Sequence, residues 1–460
     1  MTERIRVTLR DSKAARWTAL FIVSFTMFAG YYMTDSMAPL KGLLNNELSW
    51  TSTEYGFFTS AYGWFNVFLF FLIIGGIILD KMGVRFTGVM AASIMVLGAA
   101  IKYWAVSTHS LDGMIILGWK GQVMAAAFGF AIFGVGVEVA GITVSKIIVK
   151  WFKGHEMALA MGLQISIARL GTALAISTSM PVALYFGHVS APILIGLVML
   201  CIGLIAFFFY TFEDKKLDAS VVADNVGREV VEEEDFKLGD ILFIIKNKGW
   251  WYIAILCVLF YSAVFPFLKY ATDLMVNKFG VDPYWAGAIP GLLPFGTILL
   301  TPLFGGIYDK KGKGATIMII GAVIIILVHL LFSIALFNNY IFAIFNIILL
   351  GIGFSLVPSA MWPSVPKIIP ERQLGTAYAL IFWVQNIGLM LVPLLIGWVL
   401  DKYCITGTTE VAGKVVTSYD YTIPMLIFTS FGVLALLFAF LLKAEDRKKG
   451  YGLEKPNIVK

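Results

Sequence analysis

Charged residues are scarce in this sequence. Asp, Glu, Lys and Arg make up 14% of its 460 residues, against about 25% in an ordinary soluble domain. Hydrophobic residues make up 59%, and the mean hydropathy is +0.84. A soluble protein of this size cannot hide so much apolar surface, because folded proteins keep a large water-facing shell. The composition argues against a soluble enzyme, a disordered chain and a nucleic-acid-binding protein, and it predicts a lipid bilayer as a partner.

The sequence also lacks the residue groups that hold metals or perform covalent chemistry. Its three cysteines and four histidines are scattered, with no CxxC pair and no metal-ligand spacing. The strings GKS/T, HExxH and GxSxG do not occur. Catalytic residues, metals and cofactors are therefore not expected.

Long apolar runs are what the sequence has in abundance. A membrane-spanning helix needs about 20 mostly apolar residues, and the chain contains twelve such runs. The first run has no small-residue cleavage site after it, so we interpret it as a retained helix and not as a signal peptide. The predicted spans, numbered in chain order, are 17–40, 54–79, 86–106, 118–149, 155–186, 190–212, 249–279, 283–308, 315–337, 340–368, 373–400 and 420–443.

The spans divide six and six around one polar stretch with an acidic run, which is typical of a solvated linker. We therefore predict an all-α polytopic membrane protein with twelve transmembrane helices in two pseudo-symmetric six-helix bundles. Its predicted parts are an N-terminal tail 1–16, a first bundle 17–212, a cytoplasmic linker 213–248, a second bundle 249–443 and a C-terminal tail 444–460.

Lys and Arg cluster in both tails and in the loops after spans 2, 4 and 8, whereas the opposite loops contain few of them. Because cytoplasmic loops carry the excess of Lys and Arg, both termini are predicted to be cytoplasmic. The sequence shows no N-terminal dileucine sorting signal. A bacterial inner membrane is the expected location.

The two halves carry similar strings. GGIILDKMG (75–83) ends span 2, and GGIYDKKG (305–312) ends span 8. Spans 5 and 11 align at an offset of 217 residues, which pairs Arg169 with Asn386. Internal duplication of six helices is typical of two-bundle secondary transporters.

These strings resemble the major facilitator superfamily. The loop GGIILDKMGVRF, which contains Asp80 and Arg85, is similar to that family's motif between helices 2 and 3, and Asp309 lies in its second copy. The resemblance implies the two-bundle fold and transport by alternating access. It also implies that Asp80, Arg85 and Asp309 hold helices together at the cytoplasmic side.

Three further strings are similar to the lysosomal dipeptide transporter branch of that family. They are AYGWFNV from residue 61, WFKGHEMALAMGLQISIARLG from residue 151 and MWPSVPKIIPERQLGTAYAL from residue 361. In that branch a Glu of helix 4 and an Arg of helix 5 hold the two ends of a dipeptide. The resemblance places these roles on Glu138, for the ammonium, and on Arg169, for the carboxylate.

Depth and charge favour the same two residues. Charged residues within spanning segments are costly and by default indicate a cavity-facing function. At about 1.5 Å per residue, Glu138 and Arg169 lie at depths that differ by only about 6 Å, near mid-membrane. A guanidinium and a carboxylate in one cavity suit a zwitterion such as an amino acid or a short peptide. The alternative is a permanent Glu138–Arg169 ion pair that packs helix 4 on helix 5.

Aromatic and amide side chains on neighbouring spans are candidates to complete the site. Asn386 is favoured as the mate of Arg169, because an amide offers a peptide bond both a donor and an acceptor. A single aromatic residue here is more often packed against lipid or core. The candidates are Tyr62, Trp383, Gln385 and Asn386.

Asp35 of span 1 and Lys269 of span 7 both lie toward the outer ends of helices that are symmetry mates. We hypothesise a gate contact between them. The alternative is that Lys269 pairs with Asp273, its i,i+4 neighbour. Lys146 is expected either to line the cavity or to extend to the cytoplasmic interface, and His329 is interpreted as a packing residue.

The sequence thus predicts a secondary-active or facilitative transporter of short peptides, with dipeptides favoured. One alternative is a proton-coupled transporter of organic anions (sugar acids or phosphates), in which Arg169 binds the anion and Glu138 carries a proton. The other is a non-transporting receptor with the same fold. The expected partners are a small zwitterion, the lipid bilayer and, in the coupled case, protons, but no nucleic acid.

Overall fold

The computed structural model describes residues 9–152, 155–224, 238–370, 373–411 and 414–457. Within these ranges the chain is mostly helical, with sixteen α-helices and two antiparallel two-stranded sheets.

The first half contains eight helices and one short hairpin. They are α1 (Lys13–Asp35), α2 (Lys41–Leu48), α3 (Ser52–Ser60), α4 (Trp64–Phe68), α5 (Phe71–Ser107), β1 (Ile115–Ile116), β2 (Trp119–Lys120), α6 (Gly121–Phe152), α7 (Met157–Phe186) and α8 (Ala191–Asp224).

The second half contains the other eight helices and a longer hairpin. They are α9 (Leu238–Ile245), α10 (Lys248–Phe279), α11 (Pro283–Ala286), α12 (Ala288–Lys311), α13 (Gly314–Ser333), α14 (Tyr340–Ile368), α15 (Leu374–Tyr403), β3 (Ile405–Val411), β4 (Lys414–Tyr419) and α16 (Thr422–Lys449).

Ten helices of the described chain are long and apolar enough to cross a membrane. They begin with α5, so α1, with its 23 residues, stands outside the ten. The prediction of a helical, multi-span membrane protein is confirmed. Ten of the twelve predicted spans are confirmed. The other two are span 1, which corresponds to α1, and span 2, which is interrupted.

Span 2 is not one continuous helix. α3 is followed by a 3-10 turn at Ala61–Gly63 and by the short helix α4, and Phe70 has a left-handed φ of 54° before α5 begins. α5 then passes through Gly83, whose φ of 76° and ψ of 172° mark the bend into span 3. Positive φ at a bulky residue such as Phe70 is rare. Because the apolar run continues through Phe70, hydropathy alone does not predict the interruption.

Helix ends also differ from the predicted boundaries. α8 continues past residue 212 to Asp224, and α9 lies within the predicted linker. The extension of α8 remains bonded to α6, because Lys150 pairs with Asp214 at 2.7 Å and with Asp218 at 2.7 Å. α16 continues to Lys449. Residues 225–237 of the predicted linker lie outside the described residues.

α7 lies directly against α1. A Cβ atom built on Gly171 would lie 2.3 Å from the carbonyl oxygen of Phe28. Only glycine permits such an approach between helix backbones. The contact holds the middle of α7, with Arg169 and Thr172, beside the second half of α1.

The molecule has two opposite faces, here called the terminal face and the hairpin face. The terminal face carries the start of α1 and the end of α16, and the opposite hairpin face carries β3 and β4. At the hairpin face, the carboxylate of Asp401 on α15 accepts the backbone N–H groups of Ser52 (3.0 Å) and Thr53 (2.5 Å) at the start of α3. These N–H groups have no partner within their own helix, and an anion is favourable there. The two halves are therefore bonded together at the hairpin face.

Candidate functional site

A cavity of about 200 Å³ lies between the two halves. Pockets for drug-sized ligands measure about 300–1,000 Å³, so this one suits a smaller solute. Its walls come from α1, α3, the 3-10 turn after α3, α6 and α7 of the first half, and from α10 and α15 of the second. Its charged and polar lining side chains are Tyr31, Thr34, Asp35, Thr59, Tyr62, Glu138, Arg169, Thr172, Tyr261, Lys269 and Gln385.

Glu138 of α6 meets Tyr62 in this cavity. The Tyr62 hydroxyl donates to Glu138 Oε1 at 3.0 Å, and the tyrosine ring packs on Phe130, with centroids 5.5 Å apart. Tyr62 lies in the 3-10 turn that interrupts span 2. Its backbone rests on α6, because a Cβ built on Gly134 would be 2.3 Å from the Tyr62 carbonyl oxygen. The interruption therefore places the hydroxyl against the carboxylate.

Arg169 of α7 faces the same cavity and is surrounded by rings. Its guanidinium carbon lies 5.9 Å from the ring centre of Tyr31, 5.2 Å from that of Phe265 and 5.7 Å from that of Phe354. Aromatic faces stabilise a cation without using its N–H donors. Among the described residues, no ion pair and no hydrogen bond involves this side chain. Its planar fork of donors is therefore available to a bound anion.

The alternative of a permanent Glu138–Arg169 ion pair is wrong for this conformation. The ion pairs of the described residues do not include these two side chains, although both line one cavity. Glu138 is held by a tyrosine hydroxyl and Arg169 by aromatic faces. The two opposite charges are thus presented separately to the cavity.

The hypothesised contact between Asp35 and Lys269 is present. Lys269 Nζ lies 2.6 Å from Asp35 Oδ1 and also donates to the carbonyl oxygen of Thr34 at 2.9 Å. The second carboxylate oxygen of Asp35 accepts the hydroxyl of Thr172 at 2.8 Å. Both charged side chains are mostly buried, with exposures of 13% for Lys269 and 9% for Asp35. The pair joins α1 of the first half to α10 of the second.

The alternative prediction, that Lys269 pairs with Asp273, is wrong. Asp273 instead pairs with Lys41 at 2.9 Å and accepts the hydroxyl of Tyr421. The charge on Lys41 also lies 4.1 Å from the ring centre of Tyr419 in β4. This second cluster lies nearer the hairpin face and ties α2 to α10 and to the hairpin.

On α15 the structure brings Gln385 into the cavity but not Trp383 or Asn386. Trp383 donates its indole N–H to the carbonyl oxygen of Val67 at 3.1 Å. Asn386 is 1% exposed, and its amide donates to the carbonyl oxygen of Phe382 at 3.0 Å. The predicted substrate contacts of Trp383 and Asn386 are therefore corrected: both side chains lie outside the cavity lining.

The rotation of α15 explains the position of Trp383, and a local hydrogen bond explains that of Asn386. Phe382, Gln385, Leu389 and Pro393 line the cavity at helical spacing, and successive residues are rotated by about 100°. Trp383 lies about 80° beyond the edge of this stripe. Asn386 lies just beside the stripe, and its amide is bonded back to the carbonyl oxygen of Phe382. Sequence alignment of the halves paired Asn386 with Arg169, but it gives no rotational phase. Thr172 also lines the cavity and was not predicted, although it lies one turn from Arg169.

The motif residues lie at the terminal face, away from the cavity. Asp80 pairs with Lys146 at 2.6 Å, and Arg85 pairs with Asp218 at 2.8 Å. Lys146 is thus at the interface, the second of its two expected positions. Asp309 accepts an amide hydrogen bond from Asn457 at 2.8 Å.

His329 packs between two phenylalanine rings. Its ring centre lies 5.1 Å from that of Phe267 and 5.3 Å from that of Phe428. The side chain is fully buried, with 0% exposure. This arrangement agrees with the interpretation of His329 as a packing residue.

Comparison with known proteins decides the family. The model of the Major Facilitator Superfamily matches residues 17–393. The chain belongs to this superfamily. It is a multi-pass integral membrane protein of a transporter family, and the resemblance seen in the sequence is confirmed.

Individual relatives are more distant. The chain is 27% identical over 405 residues to the lysosomal dipeptide transporter MFSD1 of Homo sapiens, covering 85% of this chain and 81% of that protein. It is 22% identical over 402 residues to the probable sulfoacetate transporter SauU of Cupriavidus necator, covering 84% and 88%. Among solved structures, a D-xylose-proton symporter superposes with a TM-score of 0.67 at 14% identity, covering 92% of this chain and 97% of that one. The likeness to that symporter establishes the fold.

Exchanging the charges of Asp35 and Lys269 tests their contact. Each single exchange, Asp35→Lys or Lys269→Asp, places two like charges together in a buried site and is expected to abolish transport. The double exchange restores attraction, and we expect at least a tenth of wild-type solute counterflow in proteoliposomes. A double variant as inactive as the single variants would contradict a gating role for this ion pair.

Replacing Thr172 tests whether it orients Asp35. Hydrogen bonds to charged groups contribute about 1.5–3 kcal/mol, so Thr172→Val should weaken closure of the hairpin face by up to that amount. A maleimide added from that face should then label Thr59→Cys, in a cysteine-free background, about tenfold faster or more. Thr172→Ser keeps the hydroxyl and serves as the control. Equal labelling rates in the valine and serine variants would contradict this role.

Proposed function

We propose that this protein carries dipeptides across the membrane by alternating access, with Arg169 binding the peptide carboxylate and Glu138 its ammonium. The observation that carries the proposal is that one small cavity contains both a guanidinium without an anionic partner and a carboxylate without a cationic one among the described residues. A dipeptide supplies both missing partners, because it carries one charge of each sign.

The free-energy cost of holding Glu138 and Arg169 charged within the membrane supports the proposal that a ligand binds between them. A charged side chain within a bilayer is expensive unless it faces a cavity or a partner. A permanent ion pair between Glu138 and Arg169 would have been the simplest solution, and the structure does not use it. An anionic ligand group would meet donors of Arg169 that no described side chain occupies, and it would bind with the bidentate geometry that guanidinium favours.

Similarity to known transporters points the same way. Relatives called lysosomal dipeptide transporters match about 85% of the chain, as the human protein does. Arg169 lies within a string that resembles this branch, and Glu138 lies 13 residues before the start of that string. The proposed substrate class therefore agrees with the chemistry of the cavity.

The contacts at the hairpin face suggest the direction of opening. Closure there depends on Asp35–Lys269 and Lys41–Asp273, which both join the two halves. We propose that these ion pairs break when the cavity opens to that side. We propose that the terminal face is the cytoplasmic one, because Lys and Arg cluster there. A bacterial inner membrane is the proposed location.

A second candidate is a proton-coupled transporter of organic anions. The partner of Glu138 is the hydroxyl of Tyr62, and a buried carboxylate without a cation is costly unless it holds a proton. In this case Arg169 binds the anion and Glu138 carries the proton. The similarity to the probable sulfoacetate transporter of Cupriavidus necator favours the same alternative.

Thermal stability in the presence of candidate solutes separates these proposals. A ligand at 100 times its Kd stabilises the folded state by about 2.7 kcal/mol. We expect dipeptides to raise the Tm of the purified protein by several degrees and Arg169→Ala to abolish this shift. Arg169→Lys is the matched control, because it keeps the charge but loses the bidentate fork, and it should retain a reduced shift.

The outcomes for other solutes are equally informative. Stabilisation by sugar acids, sugar phosphates or sulfoacetate, but not by dipeptides, would overturn the peptide proposal in favour of the anion transporter. Stabilisation by dipeptides that survives in Arg169→Ala would contradict the assigned contact while leaving the substrate class intact.

A further inference from the structure

Residues Tyr451–Asn457, here called the strap, fold back beneath the terminal-face end of the second half. Gly450 ends α16 with a φ of 72°. The carboxylate of Asp446, in the last turn of α16, then accepts the N–H groups of Gly452 at 2.8 Å and Leu453 at 3.1 Å. Leu453 is completely buried, with 0% exposure. The strap is therefore a packed segment with a defined path.

The strap caps the N-terminus of α13. Lys313 occupies the N-cap position with a φ of 62° and gives no side-chain hydrogen bond to the helix. Its N–H donates to the carbonyl oxygen of Glu454 at 3.0 Å, and the N–H of Gly314 donates to that of Leu453 at 2.8 Å. The Glu454 carboxylate accepts the N–H of Thr316 at 2.9 Å and its hydroxyl at 2.8 Å. N–H groups that begin a helix have no partner within it, and here the strap supplies their acceptors.

The strap also reaches the neighbouring helix ends. Lys367 of α14 donates to the carbonyl oxygens of Gly452 (3.1 Å) and Lys455 (2.9 Å). Asn457 donates its backbone N–H to the Asp309 carbonyl oxygen at 3.1 Å and its amide to the Asp309 carboxylate at 2.8 Å. The strap thus joins the terminal-face ends of α12, α13, α14 and α16.

The corresponding place in the first half is organised differently. There the carboxylate of Asp80 pairs with Lys146 of α6 at 2.6 Å. A Cβ built on Gly83, whose φ is 76°, would meet no atom of the described residues within 4 Å. A Cβ built on Gly312, whose φ is 69°, would lie 2.5 Å from the carbonyl oxygen of Glu454. Within the described part of the chain, no segment covers Gly83 of the first copy, whereas the strap covers Gly312 of the second.

We propose that the second copy of the loop motif is a docking site for the strap of the same chain, and that the docked strap makes the terminal-face helix ends of the second half move as one body during transport. In the first half this connection falls to ion pairs between helices. In the second half Asp309 is bonded to the strap, and the α12–α13 joint has the strap as its cap. The proposal does not depend on which solute the cavity binds.

Hydrogen–deuterium exchange of the full-length protein in nanodiscs tests the docking. Gly312→Ala places a methyl group against the strap backbone, and we expect the first-turn amides of α13 (Lys313, Gly314 and Thr316) to exchange at least tenfold faster. Gly83→Ala is the matched control, because alanine suffers the same positive φ there but meets no strap. It should leave the exchange of α13 unchanged.

A second variant separates strap docking from strain in the loop. Leu453→Asp removes the buried anchor of the strap without altering the α12–α13 backbone, and it should accelerate exchange of the same amides to a similar degree. Wild-type exchange in Leu453→Asp would overturn the docking proposal, even if Gly312→Ala exchanges faster.

Distance measurements test the mechanical part of the proposal. Spin labels at Lys310→Cys on α12 and Ala444→Cys on α16 report the geometry of the second half, and their distance distribution should broaden in Leu453→Asp. Labels at Lys81→Cys and Lys216→Cys in the first half should keep their distribution. Solute counterflow should fall several-fold while the Kd for the solute stays unchanged. An unbroadened distribution in a variant whose α13 amides exchange rapidly would overturn the mechanical role.

Discussion

A charge inside a bilayer needs a partner, and this constraint organises the interior of the protein. Asp35 and Lys269 neutralise each other across the two halves at 2.6 Å. Lys102, which has 0% exposure, donates to the carbonyl oxygen of Met33 at 2.9 Å and lies 4.9 Å from the ring centre of Phe130. Arg169 differs, because it has aromatic faces around it but no anion among the described residues. This difference leaves the guanidinium of Arg169 available to a bound anion.

The same constraint links binding to movement. The cavity that contains Arg169 and Glu138 is also lined by Asp35 and Lys269, which join the two halves. A solute in this cavity would therefore be within reach of two kinds of charge. Arg169 and Glu138 have no oppositely charged partner among the described residues, and Asp35 and Lys269 join the two halves. Thr172, one turn along α7 from Arg169, is bonded to Asp35 and connects these two sets of groups. Transport by alternating access requires this kind of connection between solute and closure.

Most of the architecture could be predicted from the apolar runs, because each spanning helix must satisfy its backbone internally and hide its polar groups. The depth of intramembrane charges also sufficed to place Glu138 and Arg169 together, and symmetry sufficed to pair Asp35 with Lys269. The interruption of span 2 could not be predicted, since it depends on a left-handed residue, Phe70, within a continuous apolar run. It nevertheless positions Tyr62 against Glu138.

Two further features depend on information that hydrophobic patterns do not carry. Asn386 was assigned to the cavity by alignment of the halves, and Trp383 and Gln385 as neighbouring candidates. Of these three side chains only Gln385 lines the cavity, because Trp383 and Asn386 are bonded to backbone carbonyl oxygens. The strap lies in the segment that the sequence predicted only as a C-terminal tail, 444–460. Its path depends on main-chain hydrogen bonds to α13 and on one buried leucine. The duplicated sequence therefore conceals two different ways of holding the terminal-face loops.

The most direct test of the account is calorimetric titration of a dipeptide, its C-terminal amide and its N-acetyl form into wild type, Arg169→Ala and Glu138→Gln. The account predicts that the amide binds wild type at least tenfold more weakly than the free acid, and that this difference disappears in Arg169→Ala. The N-acetyl form should likewise bind wild type at least tenfold more weakly than the unmodified dipeptide. This difference should disappear in Glu138→Gln. Equal binding of all three ligands by wild type would contradict the account, because neither charged end of the peptide would then be recognised.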